Sequence, residues 1–174
     1  MKKSDRIKKE AADTLLKIQA IARHIRNVED NCLLLGTELI NRGEIELGHK
    51  LIANGYAHDL SKFYGIEFEY LSINNPLEDN SKLKLKMAVY HHQKTNHHHP
   101  EFWSSGIKEM PRVFLAELIC DWKSRSEEFG TSLRDWIDNE ATKRYDFTIN
   151  DKVYKEMMEF VDILCPKPFE QITK

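Results

Sequence analysis

Cysteine is scarce in this chain and has no regular partner. Cys32, Cys120 and Cys165 are odd in number and none stands in C-x-x-C spacing, which excludes a zinc-thiolate or C-x-x-C redox motif. They read as reduced core residues of a cytosolic protein. Neither sign of charge is in excess: 26 Lys and Arg against 28 Asp and Glu leave a net −2. That offers no broad basic surface for duplex nucleic acid, although a local basic pocket for phosphate stays open. No apolar run approaches the roughly 20 residues that cross a bilayer. The charged start, Met1 to Glu10, is followed by no unbroken apolar stretch, so no secretory signal is expected and the predicted location is the cytoplasm. Apolar–polar alternation of strand type is missing throughout, as are internal repeats and linkers.

What is present is helical periodicity. From residue 4 to about 42, Ala12, Leu15, Leu16, Ile18 and Ile21 recur at three and four, and Ile25, Val28, Cys32, Leu35 and Leu39 continue the pattern. This predicts two helices or one bent helix, stopped at Asn41-Arg42-Gly43. Ile45, Leu47, Leu51 and Ile52 then carry a helix that reaches or ends near Asp59. The stretch 74–80 reads as a turn-rich loop, and 81–92 as another helix. Pro111 fits the first turn of a helix running to about Glu128. A short helix around 132–145 and a last one over 150–164 precede Pro166 and Pro168, which end regular structure. The predicted fold is all-α, a single-domain helical bundle over residues 1–174. Its length is that of one domain, and its 41% hydrophobic and 31% charged residues are those of a soluble globular chain.

The chemistry-bearing residues are few. His58 and Asp59 are adjacent in Gly55-Tyr56-Ala57-His58-Asp59-Leu60-Ser61-Lys62-Phe63. His24 lies upstream, and Asp121 lies in the apolar run Leu115-Ala116-Glu117-Leu118-Ile119-Cys120-Asp121-Trp122. Imidazole nitrogen and carboxylate oxygen suit divalent transition metals, and two His with two Asp leave positions open for water and substrate. Neighbours such as His58 and Asp59 can face one ion only if the backbone turns both to the same side, as at an irregular helical turn. The plainer alternatives are a satisfied polar pair at a helix end, and for Asp121 a solvated stripe shared with Glu117. Against the second stands the cost of burying a carboxylate that is neither paired nor coordinated. Five of the eight histidines fall in Tyr90-His91-His92-Gln93-Lys94-Thr95-Asn96-His97-His98-His99-Pro100. They can hold metal, bind substrate phosphate, or form an exposed loop without function. His49 is expected on a solvent-facing turn. Trp103, Trp122 and Trp136 are expected to pack, with Trp103 near enough to the histidine tract to line a pocket.

In order, His24, His58-Asp59 and Asp121 form the pattern H…HD…D on predicted helices, which resembles the HD-domain superfamily of metal-dependent phosphohydrolases over about residues 20–125. The resemblance implies that His24, His58, Asp59 and Asp121 hold a divalent ion (Mn, Co, Ni, Fe, Mg or Zn), with Asp59 central to catalysis. It also implies that a second ion, bridged by Asp59, can draw on the histidine tract. Lys62 matches the lysine of the HD-x-G-K pattern in the cyclic dinucleotide phosphodiesterase branch, where it contacts phosphate; a fixed ammonium there stabilises phosphoryl charge. The HD nucleoside monophosphatases carry glutamate at that place. Lysine cannot act as that base, so either the metal alone activates water or Glu67, Glu69 or Glu117 moves the proton. A second resemblance is to a largely uncharacterised bacterial and phage family sharing HD-x-SKF, an N-x-HHPE tract and an E-x-x-x-DW helix. There His92, His98 and His99 correspond to the recurrent histidines, while His91 and His97 are additional.

The expected function is hydrolysis of a nucleotide or another small phosphate ester by metal-activated water, with His92, His98 and His99 binding a second ion or the substrate. Two other readings stay open: an HD scaffold that senses a nucleotide without turning it over, and a di-iron oxygenase like the inositol oxygenase branch. The expected partner is a small phosphate compound, with neither membrane nor duplex nucleic acid, and a homodimer is left open.

Overall fold

The computed structural model describes residues 3–71 and 79–166, and among them every regular element is helical. The predicted helical stretch at the start forms one helix, α1 (Lys3–Asn41). Ile21, Ile25, Val28, Cys32, Leu35 and Leu39 make its buried stripe. The stop falls where expected: Gly43 takes φ +91, and the N–H of Glu44 reaches back to the Leu39 carbonyl at 2.9 Å. The first half of the helix departs from the pattern's implication. Ile7, Leu15, Leu16 and Ile18 are exposed, and burial begins only at Ile21. Periodicity sets which side of a helix is apolar, and only a facing element can bury it.

α2 (Ile45–Ala57) runs back along α1. A single 3₁₀ turn (Leu60–Phe63) and the short α3 (Gly65–Tyr70) follow, and α4 (Asp79–Thr95) packs against α3. The loop expected at 74–80 lies outside the described residues as far as 78, and α4 already includes Asp79. Two 3₁₀ turns (Pro100–Phe102, Gly106–Glu109) lead to α5 (Arg112–Phe129), with Pro111 as its N-cap. The predicted helix near 132–145 is broken into α6 (Leu133–Trp136), a π turn (Ile137–Ala141) and α7 (Thr142–Arg144). α8 (Lys152–Leu164) ends the bundle. No helix of the described residues is long and apolar enough to cross a membrane.

The core lies where α1, α2, α5 and α8 meet. Cys32, Leu35, Leu51, Leu115, Leu118, Ile119, Met157 and Phe160 are all fully enclosed there, and each large apolar side chain contributes roughly 1.5–3 kcal/mol. Arg112 ties three helices together. Its guanidinium lies over the Phe160 ring at 4.7 Å and bonds Glu44 at 3.3 Å and Glu159 at 2.9 Å. The tryptophans pack as expected: Trp122 meets Trp136 at 4.3 Å, and Trp103 donates to the His97 carbonyl at 2.9 Å. Cys32 and Cys120 are buried free thiols, whereas Cys165, at the end of α8, is only half-buried.

Glycine brings α1 and α2 close together. A Cβ on Gly55 would come within 2.7 Å of the Cys32 Cβ, one on Gly36 within 2.6 Å of Ile52, and one on Gly48 would overlap the Gly36 carbonyl oxygen. Because the last obstacle is backbone, it cannot rotate away. Gly48→Ala is therefore expected to destabilise the protein by about 1–3 kcal/mol, the usual cost of overpacking, read as a lowered urea midpoint at unchanged slope.

Candidate metal centre

The end of α2 supplies the irregular turn that the sequence requires. His58 leaves the helix at φ −54, ψ 129, and Asp59 adopts the left-handed φ 54, ψ 20. Asp is among the few non-glycine residues that tolerate this region. The reversal turns both side chains inward, and both are only 1% exposed. His24 arrives from the middle of α1, between Ile21 and Val28. Asp121 arrives from α5, where it is buried rather than on a solvated stripe.

These four residues converge. Asp59 Oδ2 lies 3.3 Å from His24 Nε2 and 3.3 Å from His58 Nε2. Asp121 Oδ1 is 3.3 Å from His24 Nε2 and 4.0 Å from His58 Nε2. A cation about 2.1 Å from each donor would hold neighbouring donors roughly 3.0–3.4 Å apart, close to what is seen. The other oxygen of the same carboxylate faces a different group: Asp59 Oδ1 is 3.4 Å from His92 Nε2 and 3.5 Å from His98 Nε2, and His99 joins them. His92 comes from α4, and His98 and His99 from the turn after it. Thus all three recurrent histidines of the tract meet the H…HD…D residues, and the tract is not an exposed loop.

The buried atoms without an oriented hydrogen-bond partner include His24 Nε2, His58 Nε2, both Asp59 oxygens, His98 Nε2, His99 Nε2 and Asp121 Oδ1. Apart from Asp59 Oδ2, which the Lys62 ammonium approaches at 2.5 Å, leaving so many polar atoms unpaired in the interior is costly. They fall into two adjoining groups, His24–His58–Asp121 and Asp59–His92–His98–His99, each of which can hold a metal ion.

The histidines are aimed from behind by carboxylates. Glu117 Oε1 lies 3.0 Å from His58 Nδ1 and 3.3 Å from His98 Nδ1, while its Oε2 accepts from Asn54 Nδ2 at 2.9 Å. Glu67, 1% exposed, sits 2.8 Å from His92 Nδ1 and 2.6 Å from His91 Nδ1, and accepts from the Ser61 hydroxyl at 2.7 Å. His58, His92 and His98 are thereby fixed with Nε2 inward, the arrangement typical of metal-ligating histidine. Of the three glutamates considered for proton transfer, Glu67 and Glu117 are engaged in this orienting role, and Glu69 is exposed. His91 serves Glu67 from a half-exposed position. His97 packs 4.3 Å from the Phe102 ring and 5.0 Å from that of Phe114, and His49 is exposed.

Lys62 lies on the 3₁₀ turn with its ammonium 2.5 Å from Asp59 Oδ2. One residue that the sequence did not single out joins it: Arg125, four positions after Asp121, shares a cavity with Lys62, His24, His92, His99 and Asp121.

Burial and charge oppose each other at this centre. Burial would lower His58, but the negative charges of Asp59, Glu117 and Asp121 outweigh it and hold the imidazole well above its ordinary 6.5. Burial would raise Asp59 and Glu117; His58 and His24 instead hold Asp59 well below the usual range, and bonds from His58 and His98 bring Glu117 to about 2. At His92 burial wins and lowers the pKa, and at His99 burial with the neighbouring His98 and His92 brings it to about 3. Those two imidazoles are therefore neutral near pH 7, as metal ligands must be.

The stability signs follow from these directions. His58, raised, contributes fully below 6.5 and loses its contribution as pH rises through its folded value; Glu117, lowered from 4.5 to about 2, contributes above 4.5 and loses its contribution as pH falls toward 2. His92 and His99, lowered, contribute above 6.5 and cost stability as pH falls below it, so the metal-free protein is expected to be most stable near pH 6.5. A divalent cation, by replacing the His58 proton, should lift the alkaline side of the profile, which melting scans across pH with and without chelator will show.

Residues 14–164 match the model of a family described as "Family of unknown function (DUF5662)". Comparison with curated proteins and with solved structures gives no match.

Proposed function

Since the chain belongs to DUF5662, a family of unknown function, its chemistry has to be read from the metal centre, and we propose a metal-dependent phosphohydrolase of HD type acting on a nucleotide or another small phosphate ester. The observation that carries this reading is the division of Asp59: its Oδ2 faces His24 and His58, which group with Asp121, and its Oδ1 faces His92 and His98, which group with His99. The first group would hold one ion and the second another, with Asp59 between them. Ions so placed supply Lewis acidity, lowering the pKa of water and polarising a phosphoryl oxygen.

The chain's own residues do the rest. Glu117 and Glu67 keep three ligating imidazoles, His58, His92 and His98, aimed, so these donors need little reorganisation. Lys62 is one-fifth exposed and lies at the edge of the centre, where its ammonium can exchange Asp59 for a phosphate oxygen. Fe, Mn, Co, Ni, Zn and Mg all accept such nitrogen and oxygen donors in varying degree.

The engagement of Glu67 and Glu117 favours a second reading, a module that binds a nucleotide without hydrolysing it, because neither carboxylate is left as a base. Metal analysis of untagged protein beside a phosphate-release screen with Mn, Co, Ni and Mg separates the two. Two ions per chain and release from one class of ester is the expected result. Bound metal without release selects the sensing module, an oxygen-dependent spectral change of bound iron selects an oxygenase, and absence of metal overturns the reading altogether.

A further inference from the structure

A cavity of about 630 Å³ opens directly over His24, His92, His99 and Asp121. Its walls carry charge and apolar surface, and the charge includes one carboxylate, that of Glu128. Lys62 and Arg125 bring positive charge, Leu71, Val89 and Phe129 bring apolar surface, and the Gln93 amide lies among them. Arg125 and Phe129 follow Asp121 at four and eight residues on α5, so they stand on one face about 6 and 12 Å along the axis from it. The guanidinium lies over the Phe129 ring, 4.9 Å from its centroid, and is held there by Glu128 at 2.7 Å. Phe129 is 64% exposed, a poor use of an aromatic residue in a cavity whose floor is ionic unless something apolar rests against it. In order from the floor, the face offers a metal-ligating carboxylate, a cation for phosphoryl oxygens and a ring beyond.

We propose that this cavity is a nucleobase subsite: Lys62 and Arg125 take the oxygens of a single phosphoryl group, and the base of a nucleoside phosphate rests on Phe129 between Leu71 and Val89. The proposal rests on the phosphate reading of the metal centre and narrows its substrates to those carrying a planar base. Simple sugar phosphates would meet only the floor and the two cations. Base-to-aromatic contact of this kind changes affinity about tenfold or more.

The test is calorimetric titration of Mn-loaded protein with a non-hydrolysable adenosine 5′-phosphonate and, separately, with methylphosphonate, in the unaltered chain and in Phe129→Ala and Arg125→Gln. The unaltered protein should prefer the nucleoside compound about tenfold or more. Phe129→Ala should erase that preference, lowering nucleoside phosphonate affinity far more than methylphosphonate affinity, and Arg125→Gln should weaken both. Both side chains are solvent-exposed near the end of α5, so circular dichroism should show an intact fold. Equal affinities in the unaltered chain, a preference surviving Phe129→Ala, or no binding of either compound overturns the subsite. A preference lost in Phe129→Ala in a protein that releases no phosphate from any ester leaves the subsite standing and rejects hydrolysis. Phosphate release without any preference does the reverse.

Discussion

Asp59→Ala is expected to empty both metal groups at once while leaving the helical circular dichroism in place. One carboxylate faces both groups, through Oδ2 and Oδ1, so its removal takes a donor from each, whereas Asp121→Ala takes one only from the His24–His58 side. Metal content should fall from two ions to none in the first variant and to about one in the second. Hydrolysis should fall about 10³-fold or more with Asp59→Ala, the scale for removing a member of a catalytic unit. Alanine also fits the left-handed backbone at position 59 less well than Asp. Asp59→Asn, which tolerates that conformation, therefore serves as a second variant and should lose metal equally. Mass-spectrometric metal counts decide the matter: an Asp59→Asn chain that keeps two ions would remove the bridging role, and turnover by a metal-free Asp59→Ala chain would remove the mechanism.

The second large effect is expected at Glu117. Its Oε1 serves His58 and His98 together, and these two imidazoles belong to different metal groups. Glu117→Gln keeps the volume but replaces the doubly accepting carboxylate with an amide, whose single carbonyl oxygen and NH₂ cannot satisfy both ring nitrogens as well. Affinity for both ions should fall about 10–100-fold, as for other partners of ligating histidines. The metal-free protein should also lose about 3 kcal/mol, because a buried charge pair is broken from one side. Urea unfolding with chelator reads the second loss and calorimetric metal titration the first. A variant in which only one ion weakens would mean that His58 and His98 are positioned independently.

Much of the bundle was legible in the sequence because helix periodicity is local. The stripe from Ile21 to Leu39, the stop at Gly43, the Pro111 start and the last helix all follow from side chains within a few turns. The exposure of Leu15 and Leu16 did not, since the same spacing serves a covered or an uncovered face. At the centre, the order of His24, His58, Asp59 and Asp121 and the adjacency of His58 and Asp59 were enough to anticipate a convergence and an irregular turn. Glu67 was visible only as one of several acids. Its grip on His91 and His92 joins the short α3 to the far end of α4, a tertiary contact that no spacing records. Arg125 escaped notice because an arginine on a helix is ordinarily solvated, and only the shared cavity distinguishes it.

The glycine seam between α1 and α2 bears on ion choice as well as packing. His24 rides on one helix and His58 on the end of the other, and at Gly36, Gly48 and Gly55 those helices approach until an added Cβ would collide with Ile52, backbone or Cys32. Their spacing is thus fixed by contact, and the span between the two imidazoles is a gauge rather than a flexible jaw. Widening that gauge by one methyl group at Gly55, three residues before His58, should shift the ranking of cations toward larger radii even though no donor atom has changed.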